Sequence, residues 1–189
     1  GDKAEMSTLR ILHSADLHLD SPFEGLTRGK AAIRRAEQRQ LLTRMAELAR
    51  TENVDLVLLA GDLLDSESTY LETGEELRRI LQGMDVHVFI APGNHDPYTD
   101  GSIWASRRAV FPENLHVFRS EELSSFDFPE LALTVWGYAF TSDRLDRSPL
   151  SGAGSLSRPG RTGVLCAHAD IVSPLSKYAP VTPRELADS

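Results

Sequence analysis

Three short stretches carry side chains able to hold metal ions or move protons: Asp16-Leu17-His18, Gly61-Asp62-Leu63-Leu64-Asp65 and Gly93-Asn94-His95-Asp96. His168 is a fourth candidate. An Asp and a His two residues apart on one side of an extended segment can grip a single ion, the carboxylate as a hard donor and the imidazole as a borderline one. Alternation places Asp16, His18 and Asp20 on such a side. Each stretch also has a plainer reading. Asp-x-His can be an exposed edge, Asp20 can open the turn at Ser21-Pro22, a segment rich in Asn and Asp can be only a turn, and a lone His168 can be structural.

The elements around these stretches favour a site. Leu9–His13, Val54–Ala60 and Val86–Ala91 read as strands, the second an almost continuous apolar run suited to a sheet covered on both faces. Between them, Lys30–Arg50 has helical periodicity, with Ile33, Leu41, Leu42, Met45, Leu48 and Ala49 as an apolar stripe. Arg34, Arg35, Arg39 and Arg44 are interspersed on its polar faces, as a solvated face or a phosphate-binding patch. Leu71, Leu77, Ile80, Leu81 and Met84 mark a second helix. The order strand, helix, strand, helix, strand predicts a parallel sheet with Asp16, Asp62 and Asn94 at one edge. Ligands bind at that edge in α/β folds.

Beyond residue 98 the strands shorten. Leu115–Phe118, Leu131–Tyr138 and Val164–Ala167 are expected to form a second, largely antiparallel sheet, with a turn at Phe128-Pro129-Glu130 and a Ser-, Gly-, Arg- and Pro-rich loop over residues 141–162. Cys166 is expected in the core. One domain over residues 8–189 is the natural division, with 1–7 a disordered tail or a remnant ahead of Met6. The 189 residues are 41% hydrophobic and 25% charged, ordinary for a globular protein. A net charge of −8 argues against a broad basic surface. A single cysteine excludes an internal disulfide, and no apolar run approaches the roughly 20 residues needed to cross a bilayer. A cytoplasmic location is the resulting expectation.

Taken in order, Asp16-Leu-His18, Gly61-Asp62-Leu-Leu-Asp65, Gly93-Asn94-His95-Asp96 and His168 resemble the calcineurin-like metallophosphoesterase superfamily. Residues 15–23, Pro92–Tyr98 and Lys177–Pro180 are similar to its bacterial DNA repair exonuclease branch, the SbcD-like and YhaO-type proteins. The resemblance implies a four-layer α/β/β/α sandwich of two mixed sheets flanked by helices. It implies two divalent ions, manganese foremost and iron or zinc in some members. Asp16 and His18 would hold one ion, Asn94 and His168 the other, and Asp62 would bridge them. His95 would approach the scissile phosphate, oriented by Asp65. A shared anionic ligand holds two ions close enough to act on one phosphoryl group.

The function so implied is two-metal phosphodiester hydrolysis, as a DNA exonuclease or endonuclease subunit with DNA as substrate, a coiled-coil ATPase as possible partner and a homodimer as possible assembly. Hydrolysis of a small phosphodiester or phosphomonoester is the alternative within the same fold. A non-catalytic fragment or interaction module is the alternative outside enzymology. The family carries a further Gly-His-x-His segment after the position of His168, absent here, so the resemblance implies a domain incomplete at its C-terminus with weakened metal shells.

Overall fold

The structure, a computed structural model, describes residues 8–67, 69–105 and 112–189; the tail expected at residues 1–7 lies outside them. Strands β1 (Ile11–Ser14), β2 (Leu56–Ala60), β3 (His87–Ala91) and β4 (Leu115–Val117) form one parallel sheet in that order. Helix α1 (Arg28–Thr51) connects β1 to β2, and α2 (Leu71–Gln82) connects β2 to β3. Pairing of Leu59 with both Ser14 and Ile90 brings the C-terminal ends of the first three strands level.

The β2 sequence is apolar throughout because both of its faces are covered. Val57 and Leu59 join Val88 and Ile90 against Leu42, Met45 and Ala49 of α1 and Leu77, Ile80 and Leu81 of α2. Leu56, Leu58 and Ala60 face the other way, with Phe89 and Ala91, onto a second sheet. Not all of the expected stripe on α1 is used: Ile33, Leu41 and Leu48 lie on exposed flanks.

The second sheet is β5 (Ser124–Phe128), β6 (Leu133–Gly137) and β7 (Thr162–Cys166) in that order, with β5 antiparallel and β7 parallel to β6. This corrects the expected sheet in two ways. The strand at Leu115 pairs parallel with β3 in the first sheet, where Asn114 Nδ2 donates to the carbonyls of Leu81 and Val86 and anchors its start. The strand that does pair antiparallel with β6 is β5, hidden in the polar run Ser-Ser-Phe-Asp-Phe. Pro129 to Leu131 form a 3-10 turn and Ala132 turns left-handed at φ 48°, so β6 starts two residues later than its apolar run suggests.

The layers among the described residues are helices, sheet and sheet. The outer face of the second sheet is covered mainly by irregular chain and not by a long helix: Leu150, Leu156 and Val181 pack with Trp136 and Leu165. The Trp136 indole N–H donates to the Leu156 carbonyl, so the Ser- and Gly-rich segment is a packed cover. The tail ends in α3 (Pro183–Asp188), opened by a reciprocal Thr182–Glu185 capping box.

Between the sheets, His87 and His116 share a hydrogen bond, Nδ1 to Nε2, of 2.9 Å beside Phe89, Phe126 and Phe128. Burial, and then the neighbouring His87, push the His116 pKa down to about 4. Its unfolded value is about 6.5, so in the window between the two the unfolded chain binds the extra proton. The stability His116 contributes by staying neutral is complete above pH 6.5 and lost as the pH falls toward 4. His116→Phe is expected to flatten the fall in urea midpoint between pH 7 and pH 4.5. A fall as steep as in the unaltered chain would show that this histidine does not set the acid limb.

Candidate metal centre

The site residues stand on the loops that follow β1, β2, β3 and β7. After β1 the backbone does not stay extended, as alternation predicts: Asp16, His18 and Asp20 all have left-handed φ, at 54°, 45° and 65°. The chain still runs beside the loop after β2, since Asp16, His18 and Leu19 N–H donate to the carbonyls of Gly61, Asp62 and Leu63. Asp62 is itself left-handed at φ 51°. Asp, Asn and His are among the non-glycine residues that adopt this region most readily.

The loops converge on Asp62, which is 4% exposed. Its Oδ2 lies 3.8 Å from His18 Nε2 and 3.4 Å from His168 Nε2. Its Oδ1 accepts from the His95 amide at 3.0 Å. Burial acts to raise its pKa, but the His168 side chain, the His95 amide and the charges of both histidines outweigh it and hold the carboxyl below its ordinary value. In the same way burial acts to lower the His168 pKa, while Asp62 and then Asp16 bring it above the ordinary value.

Hydrogen bonds on the far side of each ring decide which nitrogen faces inward. His168 Nδ1 sits 3.2 Å from the Ala60 carbonyl, so it carries the proton in the neutral ring and Nε2 presents a lone pair. That lone pair faces Asn94 Oδ1 at 3.1 Å as well as Asp62. His18 Nδ1 lies 3.1 Å from Asp65 Oδ1, which leaves its Nε2 toward Asp62 and, at 4.0 Å, toward Asp16 Oδ1. Acceptor atoms that converge in this way are the arrangement of a cation site, and the outer hydrogen bonds are those that orient ligand histidines. Asp16, His18 and Asp62 form one group of possible ligands with atoms within 4.8 Å of one another. Asp62, Asn94 and His168 form a second, sharing Asp62. Ligand atoms about 2 Å from a common ion lie about 3–4 Å apart, the spacing seen here. His18, Asp65 and His95 also approach within 4.8 Å. In that trio the Asp65 carboxylate already meets the outer nitrogen of His18.

His95 is exposed at the edge, its ring 4.8 Å from that of His18 and edge-on to it. Its Nδ1 lies 3.2 Å from the Asp65 main-chain carbonyl, so the backbone of Asp65 orients His95 while its carboxylate orients His18. Asp20 stands apart from the cluster. Its carboxylate accepts from Thr69 and Thr73 hydroxyls and from Tyr70 N–H, and thereby ties the site loop to the start of α2.

Two glycines make room. A Cβ on Gly93 would lie 2.2 Å from Asp62 Oδ1, and one on Gly61, at φ 85°, would lie 2.4 Å from His168 Cγ. Sequence reasoning placed both in their motifs and gave neither this part. It grouped Asp96 with Asn94 and His95 as a projecting side chain, because nothing in a four-residue motif distinguishes a side chain facing the site from one facing inward. Asp96 is 1% exposed. Its Oδ1 accepts from Gly93 N–H at 2.8 Å and Asp62 N–H at 3.1 Å, its Oδ2 from Leu64 N–H at 3.1 Å, and its carbonyl from the Trp104 indole. Burial pushes its pKa up to about 6 against the pull of these amides. A cavity of about 560 Å³ between the C-terminal ends of α1 and α2, lined by Arg50, Asn53, Arg79 and Asp85, contains none of the site residues. The candidate ligand residues lie on the open edge instead.

This chain belongs to the calcineurin-like phosphoesterase family, whose sequence model matches residues 9–186. It is similar to the uncharacterized metallophosphoesterase YhaO of Bacillus subtilis, 33% identical over 74% of this chain and 36% of that protein. It is also similar to the SbcD component of the nuclease SbcCD of Rhodobacter capsulatus, 33% identical over 47% of this chain and 22% of the relative. The chain thus spans between about a fifth and a little more than a third of the length of these curated relatives. A solved dimetal phosphatase from Danio rerio aligns with TM-score 0.45 and 17% identity, over 74% of this chain and 45% of the other.

The Asp96 contacts generate a test. Asn at this position keeps an oxygen for Gly93 and Asp62 but turns an NH2 group toward the Leu64 N–H. Leaving buried donors opposed costs about 1–3 kcal/mol. Asp96→Asn is expected to lower unfolding stability in urea by that amount and to weaken manganese binding. A loss under about 0.5 kcal/mol with metal affinity intact would show that the loops hold their geometry without it.

Proposed function

We propose that this chain is the catalytic portion of a two-metal phosphodiesterase acting on nucleic acid, formed by residues 8–189 as one domain. The observation that carries the reading is the Asp62 carboxylate set between the inward nitrogens of His18 and His168. One buried anionic oxygen within 4 Å of an imidazole nitrogen from each of two separate loops suits a ligand shared by two cations. Asp16 and His18 complete one donor set, Asn94 and His168 the other. Two divalent ions held by these residues supply Lewis-acid activation of a phosphoester and of water. The oxygen and imidazole donors accommodate manganese, with iron or zinc as alternatives.

The remaining roles fall to the protein. His95, exposed and held at Nδ1 by the Asp65 carbonyl, keeps Nε2 clear of that contact, and in its imidazolium form it can donate from Nε2 to a phosphoryl or leaving oxygen. Asp65 holds the His18 ring, and Asn94 supplies a neutral ligand that adds no charge against an anionic substrate. The relatives named as components of the nuclease SbcCD support a nuclease over a general phosphatase, and their name supports work within a larger assembly. Among the described residues, no helix is long and apolar enough to cross a membrane. The net charge of −8 favours the second reading, hydrolysis of a small phosphoester, since an acidic surface repels long anions.

Metal counting separates a bridging carboxylate from a terminal ligand. Asp62→Asn is expected to lose manganese from both positions and Asn94→Ala mainly from one, measured as metal bound per chain after gel filtration. Undiminished metal in Asp62→Asn would remove the bridging role. Hydrolysis of bis(p-nitrophenyl) phosphate with manganese tests the activity, which chelator should abolish. In a form that also carries the further Gly-His-x-His segment, His95→Asn is expected to lower turnover by a factor on the order of 10² while metal stays bound. Loss of metal together with turnover would make His95 a ligand instead.

A further inference from the structure

We infer that the first three turns of α1 form a backbone-binding track for a nucleic-acid strand leaving the metal centre, so that the substrate is a polymer and not a small phosphoester. The inference rests on the phosphodiesterase reading of the site and adds to it a second, separate binding surface. Its starting point is an asymmetry of charge. The whole chain carries −8, yet residues 28–39 hold Arg28, Lys30, Arg34, Arg35 and Arg39 against one carboxylate, Glu37. Glu37 is taken by Arg34 at 2.7 Å. Arg28, Lys30, Arg35 and Arg39 form no ion pair among the described residues.

Three of these cations are in line. Arg28, Arg35 and Arg39 are spaced by seven and four residues, which sets them along one flank of the helix over about 16 Å. That length spans about four or five successive phosphates at the roughly 3.4 Å per nucleotide by which a strand advances along a duplex axis, and fewer along the strand's own path. The stripe also carries an aromatic partner. Tyr70 is 54% exposed, and the Arg35 guanidinium lies 5.7 Å over its ring. An Arg-backed aromatic beside a row of cations can take both phosphate and the face of an unstacked base. At the far end Arg39 shares a groove with Glu72 and Glu76, which bounds the stripe there.

The track is continuous with the site. α1 starts at Thr27, directly after the loop that carries Asp16 and His18, and runs back along the sheet from the site edge. Gln38, between Arg35 and Arg39, donates from Nε2 to the His18 carbonyl at 2.9 Å. Tyr70 N–H donates to Asp20 of the same loop. The arginines therefore flank the metal centre on the side of its first loop. A cationic row attached to a phosphodiester-cleaving centre complements the charge of a polynucleotide, whereas one small phosphoester would need none of it.

The test is binding of a fluorescent 20-nucleotide DNA to the 189-residue chain in chelator, where catalysis plays no part. Arg28→Gln/Arg35→Gln/Arg39→Gln is expected to raise Kd about tenfold or more. Its slope of log K against log salt should be shallower by about two to three, one per lost phosphate contact. Arg44→Gln/Arg50→Gln/Arg184→Gln removes equal charge elsewhere and should change Kd less than threefold. The three single Arg→Gln variants, each expected to weaken binding about two- to fivefold, keep the test readable if the triple variant does not fold. Equal loss in both triple variants, no DNA binding by the unaltered chain, or displacement of DNA by polyglutamate as readily as by unlabelled DNA would overturn the proposal. Manganese-dependent hydrolysis of bis(p-nitrophenyl) phosphate is read on the same samples. If it persists while DNA binding fails, the track is wrong and the site reading stands. If DNA binds through α1 and the chain neither binds manganese nor hydrolyses the diester, the surface stands and the site reading falls.

Discussion

The buried Asp96 carboxylate joins two loops that parallel strands only bring close. Parallel pairing levels the ends of β2 and β3 but says nothing about the irregular residues beyond them. Asp96 reaches back from the second loop to take the N–H groups of Asp62 and Leu64 in the first, and that of Gly93 in its own. Asp62 can then sit left-handed with its side chain between two histidines, because its main chain is held from behind. Much of the site's geometry follows from this. Gly93 must lack a side chain since Asp62 occupies the space, and the His95 amide completes the hold on the same carboxylate.

Much of the frame was legible in the sequence. Apolar runs ending in polar clusters located β1, β2 and β3, and two helical repeats between them required a parallel sheet with those clusters at one edge. Asp16, His18, Asp62, Asn94 and His168 do meet there, with Asp65 and His95 beside them. The motifs could be placed together because parallel topology converts separation in sequence into proximity at a sheet edge.

What was not legible is equally physical. Residue alternation describes an extended chain, and it fails where Asp16, His18 and Asp20 turn left-handed to pair with the next loop. Short strands carry too little pattern to reveal their partners, so β4 looked like part of the second sheet and β5 went unmarked. The apolar stripe of α1 overstated its buried face, because a helix lying on a sheet covers a narrower arc than its apolar residues span. Asp65 shows a different limit: a residue can act through its carboxylate and its carbonyl on two different rings, and a sequence motif distinguishes neither.

The loop after β1 is gripped from both helices, by Gln38 of α1 at the His18 carbonyl and by Asp20 reaching Thr69, Tyr70 and Thr73 at the head of α2. It therefore serves as a strut between two elements as well as a ligand platform. Any cation that draws Asp16 and His18 into a fixed position narrows the freedom of the strut, and the two helix attachments are narrowed with it. Occupancy of the centre is thereby thermodynamically linked to the docking of α1 and α2. Slow exchange of the amide protons around Gln38 in the third turn of α1, and of the Tyr70 amide at the head of α2, becomes a reporter of events at a site that neither helix touches with a ligand atom.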